Sequence, residues 1–162
     1  MRTDAMILPL LLALQSAPSD KLPPANPVPY ADPDARAVMA PIDALFRAMA
    51  ANDGAGVIAQ VRPEGGATAM EQTAGGSRLR HYSWPEFAAL FKPGGPRLEE
   101  RLSDPAIEVD GDIAMVWAPY TLTMNGKPLH CGTDHFDLVR DGGRWTILNV
   151  TWSSRTTGCS TS

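Results

Sequence analysis

Asp134 and His130 are the residues of this chain with types and spacing suited to moving a proton. They stand four positions apart in the run HCGTDHF. On a strand, where alternate side chains share a face, both point the same way, roughly 13 Å apart at the usual rise. The two side chains cannot touch at that distance, but each can act on one end of a small ligand. A carboxyl held in an apolar pocket is pushed towards its neutral form, which suits a general acid or base. A plainer reading has Asp134 accept a hydrogen bond from Thr151 while His130 sits at a wet rim. His81 falls on a neighbouring strand and is a further pocket candidate. Asp53 follows a helix and reads as a cap or breaker. His81, His130 and His135 with Asp134 invite a metal, but no His-x-His or His-x-x-x-His spacing supports one. His135 also faces away from His130, so neither metal nor cofactor is expected. No Gly-rich phosphate loop or nucleophile elbow is present; Gly75-Gly76 and Gly94-Gly95 read as turns.

The elements that position Asp134 and His130 lie in residues 112–155. Asn125-Gly126 and Asp141-Gly142-Gly143 are hairpin signals, and the runs around them are rich in β-branched and aromatic residues. A three-stranded antiparallel meander is expected. Unbroken pairing from the first turn sets Trp117 opposite Asp134 and Thr121 opposite His130. From the second turn it sets Leu138 opposite Ile147, Phe136 opposite Asn149 and Asp134 opposite Thr151. One face then carries Ile113, Met115, Trp117, Phe136, Leu138, Trp145 and Ile147, turning polar at His130, Asp134, Asn149, Thr151 and Arg155. The predicted pocket wall is Trp117, Met115, Phe136, Asn149 and Thr151, with His81. The other face carries Val116, Tyr120, Leu122, Leu129, Val139, Leu148, Val150 and Trp152. Both faces are too apolar for water, so the second face predicts a homodimer.

At 162 residues the chain is long enough for one domain with a real core. Its net charge of −4, without a basic run, disfavours nucleic acid, whose phosphates need clustered Lys and Arg. No stretch has the apolar length to span a membrane. Residues 5–14 (AMILPLLLAL) form an apolar run of signal-peptide length, followed by the small residues Ser16 and Ala17. Asp4 offsets Arg2 in front of it and Pro18 follows awkwardly, so a disordered tail is the alternative. Residues 16–33 hold six prolines and no apolar period, the composition of an extended linker. The expected organisation is a signal peptide over 1–17, a Pro-rich linker over 18–33 and a folded domain over 34–159. The predicted location is periplasmic or secreted.

Within the domain, Val38, Ile42, Leu45, Phe46 and Met49 mark one face of a helix between residues 32 and 52. Pro41 within it predicts either a kink or a restart at Ala40. A short helix is expected over 55–61, two strands over 67–72 and 77–82, and a capped helix from Ser83 that buries Phe87, Leu90 and Phe91. Residues 97–109 read as an irregular strand broken at Asp104-Pro105. The order predicts an α+β fold, with helices on one face of a curved sheet.

The run EVDGDIAMVWAPYTLTMNGKPLHCGTDHFDLVRDGGRWTILNVTWSSR resembles the C-terminal half of the SnoaL-like branch of the nuclear transport factor 2-like superfamily. The resemblance lies in a D-G-D-I-A strand entry, a W-x-x-Y strand, an H-C-G-x-D-x-F strand and a final strand opened by Gly-x-Trp. It implies a cone-shaped cystatin-like fold: a curved, mostly antiparallel sheet wrapped around N-terminal helices, enclosing a pocket. It also implies dimerisation through the outer sheet face, and it says little about activity. Two functions follow. One is an exported module that binds a small apolar molecule; the other is a lyase or isomerase using Asp134, with His130 or His81 assisting. The Tyr-plus-protonated-acid oxyanion site of ketosteroid isomerases has no match at corresponding positions.

The cysteines complete the reading. Register sets Cys131 beside Ser154, and Gly158 lets the tail curl back, so a disulfide between Cys131 and Cys159 is within reach. Export favours the bond. Without it, Cys131 is a small buried hydrophobe and Cys159 a free thiol on the tail.

Overall fold

The structure, a computed structural model, describes residues 33–159. The expected signal peptide and all of the linker but Pro33 lie outside the described residues. Pro33, the last residue of the expected linker and the first of the expected helix, opens helix α1 (Pro33–Ala50), where a fixed φ and a missing N–H cost nothing. Val38, Ile42, Leu45 and Met49 form its buried stripe. The helix runs on through the buried Pro41 rather than restarting at Ala40. Asn52 then takes a positive φ of 54°, and its side-chain amide donates to the carbonyls of Gly95 and Pro96, both at 3.1 Å. Asp53 caps the start of α2 (Gly54–Ile58) by accepting from the Gly56 N–H at 2.9 Å.

Seven strands follow: β1 (Val61–Thr73), β2 (Gly76–Ser83), then, after α3 (Trp84–Ala88), β3 (Leu98–Leu102), β4 (Ala106–Asp110), β5 (Ile113–Met124), β6 (Lys127–Asp141) and β7 (Arg144–Ser154). The sheet runs β2-β1-β7-β6-β5-β3. All neighbours are antiparallel except β1 and β7. Strands β3 and β4 pair with successive halves of β5, and the break falls at Asp104, whose φ is 44°. β1 starts earlier than expected because Gly65 and Gly66 join it. A side chain at Gly65 would collide with the Leu148 carbonyl, so only glycine admits this approach. At α3, the Ser83 N–H donates to the Glu86 carboxylate at 2.8 Å, closing the capping box. Leu90, expected to be buried, is 55% exposed, because α3 has ended by Ala88.

Two β-bulges decide which residues face the helices. One lies at Leu122/Thr123 against β6, the other at Asp137/Leu138 against β7. Each slips the pairing by one residue, and a one-residue slip exchanges the faces. Asp134 therefore stands opposite Ala118 and Trp152, not Trp117 and Thr151; Phe136 stands opposite Val116 and Val150, not Asn149. Thr121 pairs with Cys131, not His130. The Leu138–Ile147 pair, between the second turn and its bulge, is as expected. The inner face carries Val116, Tyr120, Leu122, Val150 and Trp152, which unbroken pairing assigned to the outer face. The core fills the space between this face and the three helices. Cys131 and Cys159 form a disulfide with Cα atoms 5.5 Å apart. Beside it Cys131 pairs with Arg155 through two backbone hydrogen bonds of 2.9 Å.

Candidate functional site

The inner face and α1 leave a cavity of about 240 Å³, closed at one side by α3 and the segment after it. Phe46, Tyr82, Phe87, Phe91, Phe136 and Trp152 give it an aromatic wall, completed by Leu45, Met49, Leu98, Leu122 and Val150. These rings meet edge to face: Phe46 with Phe136 at 6.1 Å, Phe87 with Trp152 at 6.1 Å, Phe87 with Phe91 at 5.3 Å. Five polar residues interrupt the apolar wall: Glu71, Glu100, Tyr120, His130 and Ser154.

Glu100 of β3 and Asp134 of β6 form an acid pair. Asp134 is 2% exposed, and its Oδ2 is buried without an N–H or O–H donor among the described residues. Such an oxygen is satisfied only by a proton of its own, and Glu100 is the hydrogen-bonding partner. Burial first, then the negative charge of Glu100 and the bond to it, hold the Asp134 carboxyl protonated well above the ordinary carboxylate range. Burial raises Glu100 from 4.5 to about 7, the bond to Asp134 acting the other way. The signs fit one arrangement, with Asp134 donating to Glu100.

Tyr120 and His130 form a second polar unit. The Tyr120 hydroxyl donates to the Ser153 carbonyl at 3.0 Å, so its single proton is committed. Its 2.8 Å contact with His130 Nδ1 must then be a bond that the imidazole donates. Burial lowers the His130 pKa, which favours the neutral ring. A neutral ring with its proton on Nδ1 leaves Nε2 as an acceptor on a cavity-lining residue. Burial, then the nearby Glu100 and Asp134, raise the Tyr120 pKa, so the phenol stays protonated. At the mouth, Glu71 is paired with Arg78 at 2.5 Å and Arg80 at 3.5 Å, and Arg80 donates to the Tyr82 hydroxyl at 2.8 Å.

Of the residues expected at the site, His130 and Phe136 line the cavity, and Asp134 lies in its wall in contact with Glu100. Trp117, Met115, Asn149, Thr151 and His81 do not join them. Pairing sets Trp117, His135, Thr151, Thr68 and His81 side by side across five strands of the outer face, with Met115, Asp137 and Asn149 one row along. The expected grouping is largely kept, but on the wrong side of the sheet. Trp117 is 49% exposed there, and His81 hydrogen-bonds Thr68 at 2.9 Å. Sequence reasoning missed Glu100, Tyr120 and Trp152. The signal for Glu100 was present: it stands between Leu98 and Leu102, at an inward position of an alternating strand. Among the described residues no three His, Cys, Asp or Glu side chains are grouped to hold a metal ion, and no helix is long and apolar enough to cross a membrane.

Comparison with known proteins agrees with this architecture. No curated protein matches the chain. An NTF2-like protein from Cytophaga hutchinsonii ATCC 33406 superposes with a TM-score of 0.61 at 13% identity, covering 75% of this chain and 98% of the other. A protein of unknown function with a cystatin-like fold from Nostoc punctiforme PCC 73102 gives 0.60 at 11% identity, covering 76% and 92%. The β subunit of a putative aromatic-ring-hydroxylating dioxygenase from Novosphingobium aromaticivorans DSM 12444 gives 0.62 at 11%, covering 78% and 92%. At these identities the likeness is one of fold, and the SnoaL-like branch is not singled out. The model of one family, described as putative lumazine-binding, matches residues 33–153, all of the helices and strands except the last residue of β7. The chain therefore belongs to the putative lumazine-binding family and has the NTF2-like, cystatin-like fold.

Proposed function

We propose that the protein binds a compact, largely apolar small molecule in the inner cavity and works in the periplasm or outside the cell. The observation that carries this is the cavity itself: an aromatic wall with few convergent polar groups is the usual make-up of a ligand site. Its volume of about 240 Å³ falls below that of drug-sized sites and favours a one- or two-ring molecule. The family description supplies a first ligand to try, lumazine. The Cys131–Cys159 disulfide supports an oxidising compartment. Native mass spectrometry of the protein purified without denaturation, followed by calorimetric titration with lumazine and a series of one- and two-ring compounds, tests the proposal. A co-purifying mass, or saturable one-to-one binding that Phe136→Ala weakens, is expected. Binding that Phe136→Ala leaves untouched would place the ligand elsewhere.

One observation favours a second reading, a lyase or isomerase that moves a proton on a small hydrophobic substrate. Glu100 and Asp134 meet in a desolvated wall that raises both pKa values, and paired acids with displaced pKa values are what such chemistry uses. His130 Nε2 is a second proton acceptor in the same cavity. A bound compound recovered unchanged after incubation favours binding alone; a changed mass, abolished in Asp134→Asn, favours the enzyme.

Self-association through the outer face belongs to the same proposal, with different residues from those expected. Ile113, Trp117, Met70 and Leu79 are the exposed apolar side chains there. Val116, Tyr120, Leu122, Val150 and Trp152 are committed to the inner face.

A further inference from the structure

The charges on the cavity wall all have one sign. Two carboxyls, Glu71 and Glu100, line it, and no Arg or Lys does so among the described residues. Glu71 already has Arg78 and Arg80 as partners at the mouth. Glu100 is different: no ion pair reaches it or Asp134 among the described residues, and the Asp134 Oδ2 lies buried without a donor. An acid pair without a counter-charge thus stands beside the rings of Phe46 and Phe136, whose centroids are 6.1 Å apart at 66°.

We infer that the ligand of this cavity is a compact organic cation, an amine or protonated nitrogen base, whose charged head lies against Glu100 and whose body fills the aromatic box. The inference rests on the reading of the cavity as a ligand site and narrows its ligand class. A cation supplies the counter-charge that Glu100 lacks, in surroundings where water screens little and a charge pair counts for more than in bulk solvent. Ring faces attract the same cation through their quadrupole. An anion meets like charge at Glu100, with no basic residue on the wall to offset it. A neutral ligand fills the volume but leaves Glu100 as it was. Selection therefore works by rejection of anions as well as by attraction of cations.

Three probes of nearly equal shape test this by calorimetry on the full chain at pH 7.5: 2-phenylethylamine, 2-phenylethanol and phenylacetate. The amine is expected to bind about tenfold more tightly than the alcohol, within the range of a desolvated cation–π contact, and phenylacetate not to bind. Glu100→Gln, checked for folding by circular dichroism, should cut the preference for the amine severalfold, down to what the untouched ring faces supply. Equal or tighter binding of the alcohol, or tight binding of phenylacetate, overturns the cation inference while leaving the cavity as a ligand site. An undiminished tenfold preference in folded Glu100→Gln also overturns it. If none of the three binds, the inference falls, and the failure of lumazine and the wider series as well would take the ligand-site reading with it.

Discussion

At the scale of residues, the site turns on a carboxyl kept neutral. Asp134 has a folded-state pKa raised by burial and by Glu100, so the folded protein holds a proton that the unfolded chain gives up near pH 4. The sign follows. The contribution of this group to stability is fully present below the unfolded value and is lost as pH rises through the folded values, of which Glu100 marks one at about 7. Asp134→Asn keeps the shape and cannot ionise. The variant should therefore gain stability relative to wild type between pH 5 and pH 8, measured by urea unfolding at each pH. Taking the difference at each pH removes the opposite trend from His130, whose pKa burial lowers. Parallel curves would show that Asp134 is not neutral in the folded state. A second expectation concerns Tyr120→Phe, which deletes the hydroxyl linking His130 to the Ser153 carbonyl. It should cost about 1–3 kcal/mol for the hydrogen-bonding groups left unpaired, and free the imidazole to take either tautomer, visible in its 15N chemical shifts. Asp134 was legible in the sequence because an acid on an apolar strand face is conspicuous. Glu100 carried the alternation signal between Leu98 and Leu102 but was passed over, because its strand read as irregular and its partner came from a distant segment.

At the scale of elements, turns are written in residues and the bulges only in part. Asn125, Gly126, Gly142 and Gly143 carry the positive φ values their turns require, and both hairpins form where the sequence sets them. The first bulge has Pro128 at its edge, paired with Thr123, as a proline in a sheet prefers, but the second carries no Gly or Pro; together they move Tyr120, Leu122, Val150 and Trp152 to the inner face and Trp117 and Thr151 to the outer. Burial agrees with the exchange: Val116 is fully buried in the core, and Trp117 is half-exposed on the outer face. The disulfide was legible because residue 131 lies on a central strand and the chain returns to it within a few residues. Cys159→Ser should cost about 3–4 kcal/mol by the loop-entropy model for a separation of 28 residues, read by urea unfolding. It should also loosen the end of β7 that pairs with Cys131, next to His130, seen as faster amide exchange at Arg155. A loss under about 1 kcal/mol would mean that backbone pairing alone holds the tail.

At the scale of the molecule, the order of helices, hairpins and a final meander was enough to give an α+β fold with helices on one face of a curved sheet; the cone and its pocket came from the family resemblance. The location of its cavity followed from the fold; the identity of the wall did not, since that depended on the bulges. Seven strands expose one face to the helices and the other to the surroundings. On that outer face Ile113 is 60% exposed and Trp117 lies beside His135, their rings 5.9 Å apart. Such side chains on a monomer are expected to find a partner. Sedimentation velocity at micromolar concentration should show a dimer that Trp117→Lys returns to monomer. A wild-type monomer would leave the outer face without a protein partner. The inner cavity, by contrast, is expected to work the same way in either state, because its wall belongs to one chain. The claim on which the chemistry of the site depends is that Glu100 and Asp134 share a proton in the wall of that cavity. Carbon-13 NMR of their side-chain carboxyls through a pH titration, assigned with Glu100→Gln and Asp134→Asn, tests it most directly. The pair should titrate in two steps, one at about 7 and the other well above the ordinary carboxylate range. Two carboxyls titrating independently near the ordinary value of about 4 would contradict it.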